Sequence, residues 1–185
     1  MVTGNRVPLT EALKEDFGSR SATETEIADV VASVHSLRYA RRHLPLWALP
    51  RLRGTSIWFL PGTNRVVAQP KGVVGIISPW NYPLALTAMD VLPALVAGNA
   101  VVQKPDNQTA LSALWLAELA EEAGLPAGVW QIVLGRGSVI GPALIEESDY
   151  LCFTGSTPTG NSSSGSAPRP SSVPEVSTAS GPSDA

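Results

Sequence analysis

The chain has 185 residues, a formal net charge of −3 and a single cysteine, Cys152. This charge gives no general attraction to nucleic acid or to an anionic membrane surface, and one cysteine excludes an internal disulfide. No apolar run reaches the roughly 20 residues that a membrane-spanning helix needs, and the N-terminus lacks the apolar core of a signal peptide. We therefore expect a globular protein of the reducing cytoplasm, with neither nucleic acid nor membrane as a partner.

Residues 1–54 are predicted to form an N-terminal helical segment, because apolar residues recur at helical spacing over 27–37. Five arginines follow between 38 and 53. We interpret them as a solvated helix face and loop, since no aromatic or glycine pattern of a nucleic-acid module accompanies them. His35 and His43 lie in the same segment, away from the loops considered below, and we do not expect them to be catalytic.

Two extended stretches, 56–60 and 65–69, are predicted to form a β-hairpin outside the main sheet. From residue 73 onward, strand patterns alternate with helix patterns. The predicted strands are 73–77, 100–103, 129–134 and 150–153, and the predicted helices are 84–97, 109–123 and 138–146. This alternation predicts an α/β fold with a Rossmann-like parallel sheet and flanking helices. The helical segment and the hairpin precede that sheet.

The composition changes abruptly after Gly160. Nine of the residues in 161–185 are serine and four are proline, and few large apolar side chains remain. Such a segment buries too little apolar surface to offset its ordering entropy, so we predict a disordered tail. The shift is also what an out-of-frame GC-rich gene tends to encode, which suggests a reading frame lost near codon 160. On this interpretation the parallel sheet is incomplete and residues 55–160 form a partial cofactor-binding domain with its leading hairpin.

Ligands of parallel α/β sheets bind beyond the carboxyl ends of the strands. Four loops occupy those positions: 78–82, 104–108, 135–137 and 154–160. They contain most of the polar and glycine-rich sequence of the ordered region. The sequence therefore predicts the functional site at this edge of the sheet.

Individual residues in these loops have a chemical and a structural interpretation. An ammonium at Lys104 suits ribose hydroxyls or phosphate, although an exposed lysine is usually only solvated. The Asn81 amide, between two prolines, suits a developing oxyanion, and a capping or turn asparagine is the alternative. Gly135 and Gly137 would let a flat ring approach the backbone, or simply form a turn.

The loop after the fourth strand, Thr154-Gly-Ser-Thr157, would open a helix whose free amides suit a phosphate group, although this motif alone is weak. Cys152 lies within an apolar run, which favours a buried, inert thiol over a nucleophile. Neither the Gly-x-Gly-x-x-Gly fingerprint nor a Walker loop is present, and we predict no metal site.

Three blocks taken together resemble the aldehyde dehydrogenase superfamily, in the order and at the approximate spacing of that family. They are GVVGIISPWNYP from Gly72, LVAGNAVVQKP from Leu95 and FTGST from Phe153. The resemblance covers about residues 9–160, and the tail shows none. The stretch KPDNQT from Lys104 is most similar to bacterial succinate-semialdehyde dehydrogenases, with coniferyl-aldehyde dehydrogenases as the second choice.

This resemblance implies roles for matching residues. Asn81 would donate to the oxyanion, Lys104 would hold the adenosine ribose, and Gly135 and Gly137 would border the adenine pocket. The remaining cofactor-binding positions would be Ile77, Ser78, Pro79 and Trp80 near the ribose and nicotinamide, and Gly155 and Ser156 at the pyrophosphate.

The cofactor would be NAD or NADP. Many NAD-specific members carry a glutamate three residues after the lysine, where this chain has Asn107. A neutral side chain does not repel a 2′-phosphate, which makes NADP plausible. The resemblance further implies a small-molecule aldehyde as substrate and a homo-oligomeric parent enzyme.

The family reaction needs a cysteine nucleophile and a glutamate base, and it places them in Gly-Gln-x-Cys and Leu-Glu-x-Gly-Gly motifs. Neither motif occurs in the 185 residues. We therefore expect this chain to be inactive by itself, as a truncated form of an enzyme that oxidises an aldehyde to a carboxylate. The alternative is a non-catalytic NAD(P)-binding or assembly module.

Overall fold

The computed structural model describes residues 6–160 and 177–180. The element bounds in chain order are α1 Arg6–Phe17, α2 Ala22–Glu24, a π-helix Thr25–Val31, α3 Ala32–Trp47, β1 Arg51–Arg53, a 3-10 helix Ile57–Phe59, β2 Asn64–Val66, β3 Val73–Ile77, α4 Pro83–Val96, β4 Ala100–Lys104, a 3-10 helix Asn107–Thr109, α5 Ala110–Glu122, β5 Trp130–Ile132, α6 Gly137–Glu146, β6 Tyr150–Gly155 and β7 Ser177–Ser180.

The main sheet has the strand order β5-β4-β3-β6-β7, and every neighbouring pair is parallel. The strand Val73–Ile77 lies at the centre, where both of its edges are paired and its interior residues are buried. A short run of β-branched residues fits this position because both faces of a parallel sheet are covered by helices. The predicted α/β fold with a Rossmann-like parallel sheet is confirmed.

The sheet divides the core into two layers. On one face, Val74 and Ile76 pack with residues of α4 and α5, including Leu84 and Leu116. On the other face a smaller cluster forms, in which Leu144 and Ile145 of α6 pack with Leu151 of β6. Burying a large aliphatic side chain contributes about 1.5–3 kcal/mol. The larger layer therefore provides most of the apolar stabilisation.

The N-terminal helices pack against this unit, with α3 beside α4 and α1 beside α5. Asp16 at the end of α1 accepts from the Ser112 amide of α5 at 2.9 Å. The arginines over 38–53 are exposed, as predicted. The predicted apolar stripe over 27–37 is only partly correct, because Ile27 and Val31 are exposed.

The predicted hairpin is wrong in its first strand. Residues 51–53 and 64–66 pair antiparallel, whereas Ile57–Phe59 is a 3-10 helix whose side chains face solvent. The apolar pattern of 56–60 did not identify a strand because a short apolar run does not specify a partner. The hairpin therefore begins inside the segment that we assigned to the helical N-terminus. We call residues 51–69 the exposed arm.

The tail also departs from expectation in its described part. Ser177–Ser180 forms an edge strand that pairs with β6, with Cys152 opposite Ser177 and Gly155 opposite Ser180. Backbone hydrogen bonds to a neighbouring strand need no apolar side chain, so composition alone did not indicate this pairing. A helical turn also begins at 157 and continues to 160. Residues 161–176 and 181–185, for which we likewise predicted disorder, lie outside the described residues.

Candidate functional site

The loops that follow β3, β4, β5 and β6 emerge at one edge of the sheet. The register pairs Ile77 with Lys104 on one side and with Phe153 on the other. The Ser78 amide then donates to the Lys104 carbonyl oxygen at 3.2 Å, so the first two loops start side by side. The sequence-predicted positions in these loops are therefore near one another, as the parallel topology requires.

Lys104 is buried at the base of this edge, with 7% of its surface exposed. Its ammonium donates to the Pro105 carbonyl oxygen at 3.0 Å, and no carboxylate in the described ranges forms an ion pair with it. Buried charges are normally paired. An ammonium carries three donors, so this group has donor capacity for a polar partner besides the Pro105 carbonyl oxygen. A Cβ built on Gly137 would lie 3.8 Å from the Lys104 Cε, which places the third loop beside the lysine.

The loop after β5 is tied to the loop after β4. The Gly135 amide donates to the Asn107 Oδ1 at 3.2 Å, and Asn107 itself is exposed. Gly135 has φ +147°, and a Cβ there would lie 2.7 Å from the Ile140 Cδ1. The positive φ favours glycine at this position, and a Cβ would in addition displace the end of the Ile140 side chain. The turn explains the glycine, which leaves the predicted adenine contact a prediction.

The loop 78–82 carries the predicted oxyanion donor. Asn81 and Trp80 are exposed, Ile77 and Pro79 are half-buried, and Ser78 is buried. The helix α4 begins directly afterwards at Pro83, a residue that suits the first helical turn because its missing N–H is not needed there. Tyr82 occupies the N-cap position of α4, so the Asn81 side chain does not cap this helix.

The residues predicted to meet a pyrophosphate follow β6. Ser156 is exposed and its hydroxyl lies 2.9 Å from the Thr159 hydroxyl. Gly155 ends the strand, and a Cβ there would lie 2.7 Å from the Phe153 ring. A side chain at 155 would therefore displace the aromatic ring that anchors the strand.

A buried polar network behind the loops was missed by the sequence analysis. The Gln103 amide nitrogen donates to the Ser78 hydroxyl at 2.9 Å and to the Thr87 hydroxyl at 2.8 Å. The Trp130 indole N–H donates to the Gln103 amide oxygen at 3.2 Å. One side chain thus joins β4, β5, α4 and the first site loop. A glutamine inside a strand of apolar residues was the available signal.

A buried ion pair was also missed. Arg20 Nη2 lies 2.9 Å from Asp29 Oδ2, and their side chains are 5% and 0% exposed. The Asp29 Oδ1 accepts from the Ala85 amide at 3.0 Å. Burial raises the pKa of Asp29 above its ordinary value, while the Ala85 hydrogen bond and the Arg20 charge lower it. Arg20 Nη1 also donates to the Asn81 carbonyl oxygen at 3.1 Å.

Cys152 is half-buried in β6. Burial is the largest of the effects that raise the pKa of this thiol to about 12, and Asp90 adds to it through its charge and a hydrogen bond. Burial also raises the pKa of Asp90, against hydrogen bonds from Thr154 and Cys152. A neutral thiol is a poor nucleophile, which agrees with the inert thiol expected from the sequence.

The described ranges contain neither a candidate metal site nor a candidate membrane span. No group of three or more histidine, cysteine, aspartate or glutamate side chains there is arranged to hold a metal ion. None of the helices over 6–160 combines the length and the apolar character that crossing a membrane requires. His43 stacks between Tyr39 and Trp47 on the surface of α3, away from the site loops.

The parallel sheet, its covering helices and the loops gathered at one edge define a Rossmann-like α/β protein. The chain belongs to the aldehyde dehydrogenase family, whose model matches residues 2–176. The match continues beyond Gly160 into the segment for which we expected no resemblance. That expectation is wrong as far as residue 176, because serine- and proline-rich composition does not exclude alignment to a family.

Relatives of both predicted kinds are found. A "putative succinate-semialdehyde dehydrogenase" for NADP⁺ from Mycolicibacterium smegmatis is 48% identical over 163 residues, which cover 86% of this chain and 30% of the relative. A "probable coniferyl aldehyde dehydrogenase" from Pseudomonas aeruginosa is 39% identical over 153 residues, which cover 82% of this chain and 32% of that protein.

Solved structures show the same fold. An NAD-dependent benzaldehyde dehydrogenase from Corynebacterium glutamicum matches with a TM-score of 0.85 and 34% identity over 97% of this chain and 39% of the other. A betaine aldehyde dehydrogenase variant from Staphylococcus aureus, solved with NAD⁺, matches with a TM-score of 0.87 and 28% identity over 97% and 35%. The chain thus spans about a third of the length of the relatives that it matches.

Proposed function

We propose that this chain supplies the front part of the NAD(P)-binding domain of an aldehyde dehydrogenase of the succinate-semialdehyde type. The whole enzyme would oxidise a small-molecule aldehyde to the carboxylate, in the cytoplasm and as a homo-oligomer. Membership of the family and the matches to two kinds of aldehyde dehydrogenase support the reaction class. The observation that carries the proposal is Lys104, which is buried at the edge where the four loops emerge and forms no ion pair with a carboxylate of the described residues.

The residues present fit a dinucleotide. The Lys104 ammonium has donors left for ribose hydroxyls, and Gly137 beside it adds no side chain to the space. Ile77, Ser78, Pro79 and Trp80 would line the ribose and nicotinamide, and Gly135 would border the adenine. Gly155 and Ser156 would face the pyrophosphate. When bound, the cofactor would accept a hydride from the substrate.

We further propose that NADP is accepted. Asn107 holds the Gly135 amide with its oxygen and carries no charge. A carboxylate at this position would repel a 2′-phosphate, whereas a carboxamide would not. The relative from Mycolicibacterium smegmatis is named for NADP⁺, which supports this choice.

The chemistry contributed by this chain would be electrostatic. The exposed Asn81 amide would donate to the oxyanion that forms when a nucleophile attacks the aldehyde carbon. Removing one such donor typically slows a reaction by about 10²–10³-fold. The nucleophile and the general base would come from outside the 185 residues, since neither motif occurs in them.

Taken alone, the chain is therefore proposed to bind NAD(P) or to assemble with a homologue without catalysis. Burial and Asp90 raise the pKa of its only cysteine, Cys152, to about 12. This favours non-catalytic binding or assembly over an enzyme that uses Cys152 as its nucleophile. We expect no NADPH formation when the chain is mixed with NADP⁺ and succinate semialdehyde. Formation that a Cys152→Ala substitution abolishes would contradict the assignment of an inert thiol.

Isothermal titration of NAD⁺ and NADP⁺ into the 185-residue chain tests the binding site. We expect both to bind, and we expect Lys104→Met to weaken binding roughly tenfold because it removes a buried charged donor. Lys14→Met, on the exposed surface of α1, is the matched control and should bind as the wild type does. Binding by neither cofactor, or equal loss in both variants, would overturn the proposed site.

A further inference from the structure

Residues of the N-terminal helical segment hold the loop that carries Asn81. Arg20 lies just before α2, yet its guanidinium reaches the Asn81 carbonyl oxygen at 3.1 Å. The same group lies against two aromatic rings, with its central carbon 4.5 Å from the Phe17 ring centroid and 5.3 Å from that of Tyr82. The planar guanidinium therefore contacts the backbone of one loop residue and the ring of the next.

The partner of Arg20 holds the start of the helix that follows this loop. Asp29 is fully buried, pairs with Arg20 at 2.9 Å and accepts from the Ala85 amide in the first turn of α4. An anionic acceptor suits this position because the amides at the start of a helix carry a partial positive charge. The pair thus fixes residue 81 through Arg20 and residue 85 through Asp29.

We propose that Arg20 is a positioning residue for the oxyanion donor: through the Asn81 carbonyl and the Tyr82 ring it sets the backbone from which the Asn81 amide projects. This proposal rests on the proposed function in assigning Asn81 its role. Arg20 itself is not one of the residues assigned to the cofactor, and its described contacts are with Asn81, Asp29, Glu24 and the Phe17 and Tyr82 rings. Its effect on binding passes through the loop 78–82, where Ser78 and Trp80 would also meet the cofactor.

A simple Arg20→Ala variant does not test the proposal, because it leaves the buried Asp29 carboxylate without its counter-charge and is expected to unfold the chain. The double variant Arg20→Gln with Asp29→Asn removes both charges together. The amide oxygen introduced at position 29 still accepts from Ala85, whereas the shorter neutral side chain at position 20 does not reach Asn81 with a guanidinium fork. Arg38→Gln, exposed on α3, is the control.

The readouts are thermal unfolding, calorimetric titration with NADP⁺, and amide hydrogen exchange of the peptide that covers 79–86. For the double variant we expect a melting temperature within about 4 °C of the wild type, roughly tenfold weaker NADP⁺ binding and faster exchange in that peptide only. The variant Arg20→Lys should keep the charge balance and the fold but show the same loss of binding and faster exchange, because an ammonium lacks the planar fork.

Wild-type affinity and wild-type exchange in the double variant would overturn the proposal, since Arg20 would then only balance the charge of Asp29. Binding of neither cofactor by the wild-type chain would count against the proposed function and not against the positioning of the loop. In that case the amide hydrogen exchange of the 79–86 peptide is the measurement that tests whether Arg20 positions the loop. Unchanged exchange there would overturn the proposal, and faster exchange would support it.

Discussion

The environment of Cys152 makes a residue-scale prediction about reactivity. Burial and the neighbouring Asp90 raise the pKa of the thiol to about 12, so it remains neutral at pH 9, where an unfolded cysteine is about half ionised. We expect native Cys152 to react with iodoacetamide at least about a hundredfold more slowly than in the urea-unfolded chain. Rapid labelling of the native chain at pH 9 would contradict the buried geometry.

The same shift has a consequence for stability. A thiol whose pKa is raised by folding favours the folded state below the unfolded pKa of about 9, and this contribution is lost as the pH rises toward 12. The free energy of unfolding should therefore fall between these values. A Cys152→Ser variant, whose hydroxyl does not ionise there, should show less of that decline in urea titrations.

The cofactor preference can be tested at Asn107. We expect Asn107→Glu to weaken NADP⁺ binding at least tenfold relative to NAD⁺, because a carboxylate repels the 2′-phosphate and accepts from ribose hydroxyls. The variant Gln108→Glu adds the same charge one residue further along and should alter the ratio much less. An unchanged ratio of the two affinities in Asn107→Glu would show that residue 107 does not face the ribose.

For single residues, the sequence was informative where the pattern that marks a residue lies within one loop. Lys104, Asn107 and Gly135 could be predicted to lie near one another because each comes at or after the end of a recognisable strand, and the parallel topology brings such positions together. Arg20 was not found, since its contact with Asn81 spans 61 positions and no local pattern encodes it. Their chemical roles are proposals that the cofactor titrations address.

Among the elements, β4 depends on a buried side chain that is not apolar. Replacing Gln103 by alanine would leave the buried Ser78 and Thr87 hydroxyls and the Trp130 N–H without this partner. Each unsatisfied buried group costs about 1–3 kcal/mol, so we expect the free energy of unfolding to fall by about 3 kcal/mol or more. Urea titration measures this change.

Gln131→Ala provides the matched control for that experiment. Gln131 lies on β5, one strand away, and its side chain is exposed. Surface substitutions away from special features change stability by roughly 0.5 kcal/mol or less. Equal effects of the two substitutions would show that the buried network does not stabilise the sheet.

The helices and strands from 73 onward were predicted within a few residues because their periodicity reflects burial on a sheet. The earlier helical segment was harder, because the π-helix Thr25–Val31 changes which side chains face inward. There the polar Thr25 and Asp29 are buried, and the apolar Ile27 is 65% exposed. Val30 of the predicted stripe is buried, so a pattern search that equates burial with apolar character assigns only part of the inward face of such an element.

For the molecule as a whole, the exposed arm presents a run of solvent-facing apolar side chains. Trp58 and Phe59 are 88% and 73% exposed, and apolar residues adjoin them. Exposed apolar patches promote association, so we expect the chain to self-associate at high concentration. The double substitution Trp58→Ser and Phe59→Ser should lower light scattering and leave the melting temperature nearly unchanged.

The comparison for that prediction is Val139→Ser, which alters an exposed apolar residue on α6, away from the arm. It should leave the scattering as in the wild type. Equal scattering from all three proteins would show that the arm does not mediate the association.

The arm is also the only covalent link between two halves that pack closely: Asp16 binds the start of α5, and Asp29 binds the start of α4. A cut peptide bond within 51–69 would therefore leave two fragments held by a common core rather than two separable domains. The chain is suited to splitting at this position. Fragments 1–58 and 59–185, produced separately and mixed, should reassemble, whereas either one alone would lack half of the buried interface.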